Sequence, residues 1–542
     1  MTDNKIQFLG TTNPNNPIWR GDLNTIAFEP GAIKTKLLNL AKPCYFIRKQ
    51  GQIGVTNHGE LVDKDNNNTP QLETLTAIPP LVPQQLGDRN FLDFHGVKYA
   101  YAAGSMANGI ASEKLVIALG KEHILSSFGA AGLLPTRIEK AIYRIQQALP
   151  NEPYAFNLIH SPNEIAVERK TVELYLQHGV TTIEASAFLD LTPNVVYYRA
   201  AGLSLNADNC IEIKNKIIAK ISRREVARKF IKPPPDKILQ QLVSQGLITE
   251  LQAKLASQVP LADDITVEAD SGGHTDNRPL VCLLPTILRI RDEIQARYNY
   301  PTPVRVGAAG GISTPQSALA AFMMGAAYIV TGSVNQACLE AGTSTHTKNL
   351  LAQAEMADVI MAPAGDMFEM GVKVQVLKRG TLFGMRSQKL LELYKKYNSI
   401  EEIPTAERDK LERQIFQKNL AEVWQDTVDY FNRRDPGEIQ RATNNPKRKM
   451  ALIFRWYLGL SSRWATLGEP KRVMDYQIWC GAAMGAFNNW VRDSYLAEPN
   501  NRKVVDVAHH IMTGATYSYR LQNLKLQSIY LSNVDYQYLP KK

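Results

Sequence analysis

The sequence lacks several features that would each assign it to a broad class. Its longest apolar run, residues 318–330, is shorter than the roughly 20 residues that a bilayer span requires. The N-terminus has no basic segment followed by an apolar one, so we expect no secretory signal. The five cysteines are odd in number and include no CxxC pair, which argues against a disulfide scaffold and against a zinc site. These absences favour a cytoplasmic protein with no membrane span and no metal site.

Two common nucleotide-binding signatures are also missing. Neither GxGxxG nor GxxxxGK followed by Ser or Thr occurs, so a Rossmann or P-loop site has no support. No nucleic-acid motif is recognisable, and the densest basic tract is PKRK at residues 446–449. Residues 386–542 contain 25 Lys and Arg against 17 Asp and Glu, and so carry most of the net charge of +10. This excess indicates either an acidic protein partner or a solvated helical surface, and no nucleic acid.

The chain has the length and composition of a soluble protein of several domains. It has 542 residues, of which 44% are hydrophobic and 21% charged. Residues 1–85 predict a small β-rich domain, and residues 86–385 alternate between strand-like and helical patterns. Residues 386–542 predict a helical region, whose aromatic clusters at helical spacing we expect in the core.

The middle region predicts an α/β fold built on a (β/α)8 TIM barrel. Its eight strand candidates are VKYAYA, ILSSFG, YAFNLI, TTIEAS, KIIAKI, DITVEA, VRVGAA and AAYIVT. Eight such units within about 300 residues are typical of this barrel, although the order alone leaves a doubly wound sheet open. A helical insertion over about residues 223–262, after the fifth strand, predicts a lid or substrate-binding subdomain, or else a simple helical hairpin.

Four glycine-containing loops follow strand candidates, at residues 102–109, 270–274, 307–314 and 331–337. The last two end consecutive strands, where the backbone N–H groups of Gly310-Gly311 and Gly332-Ser333 would converge on one point. Barrels of this class commonly hold a phosphate there, and the lack of Cβ atoms lets it approach the backbone. These two loops, with Gly310-Gly311 and Gly332-Ser333, form what we call the glycine seam. The seam suggests a phosphorylated cofactor, of which FMN is the usual one.

A single histidine follows the two glycines of SGGH. An isolated histidine is usually structural or exposed, since its use in chemistry depends on a partner and a tuned pKa. His274, however, lies in the loop after a predicted strand, and the same loop carries Ser271 and Gly272. From the residues alone its role stays open, and Asp276 and Arg278 are either its orienting groups, ligands of a nucleotide phosphate, or a structural ion pair.

Longer motifs carry a family resemblance. SGGH, followed by AAGGIST and TGS, resembles the flavin barrels of the nitronate monooxygenase group. The runs APAGDMFEMGVKVQVLKRGTLFGMRSQKLLELY, FRWYLGLSSRWA and DYQIWCGAAMGAFNNW resemble the PfaD-like family, the trans-acting enoyl reductases of polyunsaturated fatty acid and polyketide synthases. The resemblance covers nearly all of the chain after residue 86. The chain departs from the family pattern at Ala482, where proline is usual.

The resemblance implies a set of cofactors, partners and site residues. It implies bound FMN, NADPH or NADH as hydride donor, and an enoyl thioester on an acyl carrier protein as substrate, and it leaves a homodimer open. His274 matches the active-site histidine, which would bind the thioester carbonyl or supply the α-proton. The implied FMN contacts are Ala103, Gly104, Ser105, Met106, Asn157, Ser271, Gly272, Gly310, Gly311, Gly332 and Ser333.

Two other functions stay open from the sequence. The barrel could be a nitronate-type FMN oxygenase, with His274 as the base that deprotonates a nitroalkane. Alternatively, the chain could be a flavin-free scaffold subunit whose basic C-terminal region gathers synthase proteins. Oxygen consumption with a nitronate would identify the first, and purified protein that never takes up FMN would identify the second.

Overall fold

The computed structural model describes residues 18–63, 72–160 and 165–542 of the chain. These residues form two compact units. The smaller unit contains the residues up to 86 together with 314–320 and 509–541, and the larger unit contains residues 87–313 and 321–508. Residues 1–17 of the predicted N-terminal domain lie outside the described residues.

The smaller unit is built on an antiparallel five-stranded sheet, as the strand-like pieces of its sequence predict. Its strands, in spatial order, are Gln52–Thr56, Cys44–Lys49, Leu72–Ile78, Ile18–Arg20 and Glu60–Val62. Trp19 is fully buried against Ile26 and Ile47 on this sheet. Helix Pro30–Leu38 is tied to the C-terminal helix by Arg520, whose guanidinium donates to the backbone carbonyl oxygens of Leu37 and Asn39 at 2.9 and 3.0 Å.

The larger unit contains a closed barrel of eight parallel strands. Strands β1–β8 are Tyr101–Ala103, Leu125–Phe128, Ala155–Ile159, Thr182–Ser186, Lys216–Ile221, Asp264–Glu268, Arg305–Ala309 and Ile329–Thr331. They pair in chain order, and β8 closes the barrel by pairing with β1, with Ile329 opposite Tyr101. This closure confirms the TIM barrel and excludes the doubly wound sheet. All eight strands lie within or overlap the predicted segments.

Amphipathic helices surround the barrel because their apolar residues recur at three- and four-residue spacing. Helix Pro135–Ala148, for example, buries Ile138, Ala141, Ile142 and Ile145. The helices of this layer, with those before β1 and after β8, are Arg89–His95, Glu113–Lys121, Pro135–Ala148, Ile165–Gln177, Pro193–Ala201, Leu280–Tyr298, Ser333–Gln336 and Thr345–Ala352. Helix Pro315–Met323, between β7 and β8 in the chain, is divided between the two units.

The helical insertion between β5 and β6 is confirmed. It consists of helices Arg224–Ile231, Asp236–Ser244 and Glu250–Ala256. The third helix is anchored to the barrel layer, where the side-chain amide of Gln252 donates to the carbonyl oxygen of Ala201 at 3.2 Å. Its role as a lid stays a prediction.

The C-terminal region is helical, as predicted. Its α-helices are Phe383–Lys396, Thr405–Lys410, Leu420–Arg434, Pro436–Thr443, Pro446–Leu467, Ala483–Val491 and Val504–Leu526, and Leu411–Phe416 is π-helical. The aromatic residues Phe416, Phe454 and Tyr457 are fully buried in one cluster, which confirms the expected aromatic core. In the part of the chain that the structure describes, no helix is both long and apolar enough to cross a membrane.

A buried ion-pair network stabilises the N-terminal ends of strands β6 and β7. Asp264 is fully buried and accepts hydrogen bonds from Arg305 at 2.6 and 2.9 Å, with the His95 ring nitrogen at 2.8 Å. Burial alone would raise the pKa of Asp264, but Arg305 and His95 lower it to about 2. The ionised carboxylate therefore stabilises the fold above its unfolded pKa of roughly 3.9, and this contribution is lost as the pH falls towards 2.

We therefore expect Asp264→Asn to lower the free energy of unfolding at pH 7 by about 3 kcal/mol, because it leaves the buried Arg305 charge without its partner. Chemical denaturation between pH 2 and pH 7 measures this. Between pH 4 and pH 2, the free energy of unfolding of the variant should also fall less than that of the unsubstituted protein. Asp93→Asn is the matched control, since Asp93 only pairs with Arg89 on an exposed helix face and should change the stability by about 0.5 kcal/mol or less. Equal stability of the two variants would contradict the role of Asp264 as the charged partner of Arg305.

Candidate active site

The loops that follow the barrel strands meet at one end of the barrel, because parallel strands all end on the same face. Ala103 ends β1, and the Gly104 N–H after it donates to the carbonyl oxygen of Thr331, at the end of β8, at 3.0 Å. Met106 is fixed in the same loop, since its carbonyl oxygen accepts from Ala111 N–H at 3.1 Å. The first contact joins the loop after β1 to the end of β8, and the second fixes the loop after β1 internally.

His274 is held by a small sheet outside the barrel. Gly273–His274 pairs antiparallel with strand Lys373–Leu377, so that His274 lies opposite Val374. This strand pairs in turn with Val359–Pro363. The loop between those two strands supplies Asp366, whose Oδ1 lies 3.1 Å from His274 Nε2. The half-buried imidazole is therefore fixed by backbone pairing and by a carboxylate.

Opposing effects determine the protonation of this pair. Burial alone would lower the pKa of His274, but the Asp366 carboxylate, with a smaller contribution from Glu268, raises it above its ordinary value. Burial alone would raise the pKa of Asp366, but His274 lowers it. The pair therefore keeps the imidazolium to higher pH than an isolated histidine would, which suits a proton donor.

A second charged cluster lies between neighbouring strands at the same end. The Lys220 ammonium on β5 lies 2.9 Å from a Glu268 oxygen on β6 and 3.6 Å from a Glu184 oxygen on β4. Glu184 also accepts from the Ser105 hydroxyl at 2.6 Å and from Ser105 N–H at 3.2 Å. Burial would lower the pKa of Lys220, but the two carboxylates raise it, so that the lysine is charged. The Ser105 donors are thus directed at Glu184.

Asn157 lies on β3 beside β4. Its amide nitrogen donates to the Glu184 carbonyl oxygen at 3.0 Å and to the Ser186 hydroxyl at 2.7 Å. Because an amide has only two N–H donors, both are used inside the barrel wall. Any ligand at Asn157 would therefore have to donate to its side-chain oxygen.

The glycines of the seam fit a phosphorylated cofactor. A Cβ on Gly311 or on Gly332 would meet no atom within 4 Å, so both positions border open space. Gly311 and Gly310 have φ of +73° and +88°, which only glycine adopts readily. Gly310 also packs closely, because a Cβ there would lie 2.7 Å from the Ala269 carbonyl carbon. The open space beside Gly311 and Gly332 leaves room for an anion to approach the backbone at these positions.

The C-terminal motif WCGAAMG completes the seam. Gly481 N–H donates to the Ser333 hydroxyl at 3.1 Å, and a Cβ on Gly272 would lie 2.9 Å from the Cys480 nitrogen. Ser271 has a buried hydroxyl with no hydrogen-bond partner among the described residues, which indicates a polar group that a ligand would satisfy. Ala482 has φ of −56°, close to the value that a proline ring fixes, so the departure from the family pattern leaves the turn unchanged.

The structure separates the residues that sequence reasoning grouped around His274. Asp276 pairs with Arg223 at 2.8 Å, and it accepts from the Ser222 hydroxyl at 3.4 Å, so it is part of an ion pair between loops. The carboxylate on His274 is Asp366, which lies in a family motif but which sequence reasoning missed. The occurrence of charged residues inside the otherwise apolar strands β4, β5 and β6 was the available signal for the Lys220 cluster.

Two family models match separate parts of the chain. One, described as the N-terminal domain of fatty acid synthase subunit PfaD, matches residues 19–80. The other, described as the inserted helical domain of acyl-carrier-protein S-malonyltransferase, matches residues 397–476. The first covers the antiparallel sheet of the smaller unit, and the second covers part of the C-terminal helical region.

Longer similarities extend over nearly the whole chain. It is 48% identical over 516 residues to a polyunsaturated fatty acid synthase protein of Thraustochytrium sp. (strain ATCC 26185 / S-3), covering 94% of this chain and 34% of that protein. It is 41% identical over 516 residues to polyketide biosynthesis protein PksE of Bacillus subtilis (strain 168), covering 94% of this chain and 65% of that protein. The chain thus spans about a third of the first relative and about two thirds of the second.

One solved structure is also similar to this chain over most of its length. The enoyl reductase domain of MlnA, from the macrolactin biosynthesis cluster of Bacillus amyloliquefaciens, is 39% identical to this chain. The match covers 82% of this chain and 99% of that domain, with a TM-score of 0.78. At this identity and coverage, the similarity extends beyond a shared barrel.

Proposed function

Since the chain belongs to the PfaD family of enoyl reductases of polyunsaturated fatty acid and polyketide synthases, we propose that it reduces the α,β-double bond of enoyl thioesters carried by an acyl carrier protein. It acts in trans, with FMN as cofactor and NADPH or NADH as hydride donor, in a reducing cytoplasm. The observation that carries the proposal is that the His274–Asp366 pair and the open glycine seam belong to loops at the same end of one barrel.

The residues of the seam would hold FMN. The backbone N–H groups of Gly311 and Gly332 would donate hydrogen bonds to the phosphate. The buried Ser271 hydroxyl would find its hydrogen-bond partner in the same cofactor. The loop Ala103–Met106 would line the ring, and the Asn157 side-chain oxygen would accept from a ring N–H. When bound and reduced, FMN supplies a hydride to the β-carbon of the substrate.

The chain's own residues supply orientation, charge and a proton. His274, held by Asp366, would donate to the thioester carbonyl as negative charge develops there, or deliver the proton to the α-carbon. Lys220 contributes a fixed positive charge between Glu184 and Glu268 at the same end of the barrel.

An acyl carrier protein is the proposed partner because its surface is typically acidic. Residues 386–542 carry more basic than acidic residues. The insertion after β5 adds basic residues near its start, of which Arg224 is exposed, whereas the others form ion pairs with acidic residues: Arg223, Arg228 and Lys229. The tract at 446–449, however, is engaged within the helical region. Lys447 lies on the Tyr394 ring, Arg448 binds Glu438 at 2.6 Å, and Lys449 lies 3.8 Å from Glu401. Charge reversal of this tract would therefore disturb folding as well as docking.

Salt provides the cleaner test of the partner. Steering between opposite charges fades as the Debye length shrinks from about 10 Å at 0.1 M salt to about 3 Å at 1 M. We expect activity on a carrier-bound enoyl substrate to fall steeply over this range, while activity on a small carrier-free enoyl thioester changes little. Steady-state rates with both substrates measure this. Equal salt sensitivity would contradict docking by charge.

The proposed reaction is tested by product analysis. Purified protein supplied with FMN and NADPH is incubated without oxygen with a carrier-bound enoyl thioester, and the acyl group is analysed by mass spectrometry. We expect a gain of two hydrogens, with one equivalent of NADPH oxidised. An unchanged acyl group would contradict the proposal, and oxygen uptake with a nitronate would favour the oxygenase.

A further inference from the structure

Asp366 contacts the proposed catalytic histidine from outside the barrel. In the described part of the chain, the hydrogen bond of the His274 ring runs from Nε2 to Asp366 Oδ1 at 3.1 Å. The two residues are 92 positions apart, and Asp366 belongs to the loop between strands Val359–Pro363 and Lys373–Leu377. Nothing in the barrel strands themselves supplies this contact.

The loop that carries Asp366 is fixed on both sides. Met367 and Phe368, which follow it, are buried, and Phe368 belongs to the core of the C-terminal region. Gly365, which precedes it, packs so closely on helix Pro446–Leu467 that a Cβ there would lie 3.2 Å from the Leu458 Cβ. The C-terminal region thus positions the carboxylate, which gives this region a role in the chemistry of the barrel.

One ring nitrogen of His274 contacts Asp366, and this determines which ring nitrogen is left for the substrate. An ionised carboxylate only accepts hydrogen bonds, so Nε2 must carry a proton whether the ring is neutral or charged. The proton that the ring can release is then on Nδ1. We propose that Asp366 is a positioning residue that holds His274 with Nε2–H on the carboxylate and presents Nδ1 to the substrate. This inference rests on the proposed function for the identity of that substrate.

The proton transfer balances with these roles. When the β-carbon gains the hydride that bound, reduced FMN would supply, the electron pair of the former double bond would move to the α-carbon and the thioester oxygen. That pair takes the Nδ1 proton to form the second C–H bond. The imidazolium becomes a neutral imidazole that keeps its Nε2 proton on Asp366, and solvent restores the Nδ1 proton.

Several charged groups act on this pair. Asp366 and Glu268 favour the charged imidazole, Lys220 disfavours it, and Arg455 of helix Pro446–Leu467 acts on Asp366. Arg455 in turn lies 3.3 Å from Glu369. The net effect on His274 is a raised pKa, so the donor form is present below that pKa and is lost as the pH rises through it. Removing the Asp366 charge should move this loss to lower pH.

Two substitutions separate the hydrogen bond from the charge. Asp366→Asn keeps an acceptor for Nε2–H but removes the charge, whereas Asp366→Ala removes both. We expect both variants to retain FMN and to slow the reoxidation of the reduced protein by enoyl thioester about 10- to 100-fold at pH 8, less than complete loss of a general acid would. The rate should recover at lower pH in Asp366→Asn. The matched control is Asp276→Asn, because Asp276 pairs with Arg223 and not with His274.

A spectroscopic measurement tests the same inference without catalysis. In protein labelled with ¹⁵N-histidine, the His274 signals are assigned by their loss in His274→Gln. We expect the neutral ring to carry its proton on Nε2, and its pKa to fall in Asp366→Asn but not in Asp276→Asn. A neutral ring protonated on Nδ1, or a pKa unchanged in Asp366→Asn, would overturn the inference. If the expected signals accompany a protein that reduces no enoyl thioester, the positioning role stands and the proposed function fails.

Side-chain amides provide a further check on the ring atom. The amide nitrogen of Asn can replace Nδ1, and that of Gln can replace Nε2. We expect His274→Asn to retain a faster reoxidation than His274→Gln, because only the former keeps a hydrogen-bond donor for the thioester oxygen, while neither amide can release the α-proton. The reverse order would contradict the assignment of Nδ1.

Discussion

His274→Ala should slow the reoxidation of the reduced protein by an enoyl thioester roughly 10²- to 10⁴-fold, the usual contribution of a positioned acid or oxyanion donor. FMN binding and the reduction of FMN by NADPH should remain, because the glycine seam does not include the imidazole. Stopped-flow absorbance of the two half-reactions, measured separately, resolves these effects.

His346→Ala is the control for His274→Ala. It removes an exposed imidazole of the larger unit that packs against Tyr476, and it should leave both half-reactions unchanged. If the His274→Ala protein is reoxidised at the normal rate, His274 takes no part in this half-reaction. A variant that loses FMN would instead place the histidine in cofactor binding.

Gly332→Val should expel FMN from a folded protein. Gly332 borders open space, so the branched side chain of valine would occupy the phosphate position. Gly311 is less informative, because its φ of +73° makes every side chain strained there. The FMN content after gel filtration and the circular dichroism of the same sample measure the two properties.

Gly31→Val is the matched control for Gly332→Val. A Cβ at Gly31 also meets no atom within 4 Å, and the residue lies on helix Pro30–Leu38 in the smaller unit. It should retain FMN in full. Stoichiometric FMN in both variants would remove the proposed phosphate site.

The barrel could be predicted because most of its strands are short apolar runs followed by glycine or small polar residues. This local pattern depends only on neighbouring residues, and it placed all eight strands and the helical insertion. The seam glycines could be predicted for the same reason, since Gly310-Gly311 and Gly332 directly follow β7 and β8. The site roles of these residues stay predictions.

The partner of His274 could not be predicted from local patterns. Asp366 reaches it through the pairing of Gly273–His274 with a strand about a hundred residues away, and Asp276, two residues on, was the nearer carboxylate in sequence. The same limit applies to Gly481, which meets Ser333 across 148 positions. Long-range strand pairing brings such residues together, and a single sequence contains no direct signal of it.

The absorption spectrum of the FMN-loaded protein, recorded without oxygen, tests the central claim most directly. We predict an oxidised flavin spectrum that NADPH bleaches and that an enoyl thioester then restores, with one saturated thioester formed per flavin reoxidised. A protein that stays colourless after incubation with FMN, or a bleached flavin that only oxygen restores, would contradict the account.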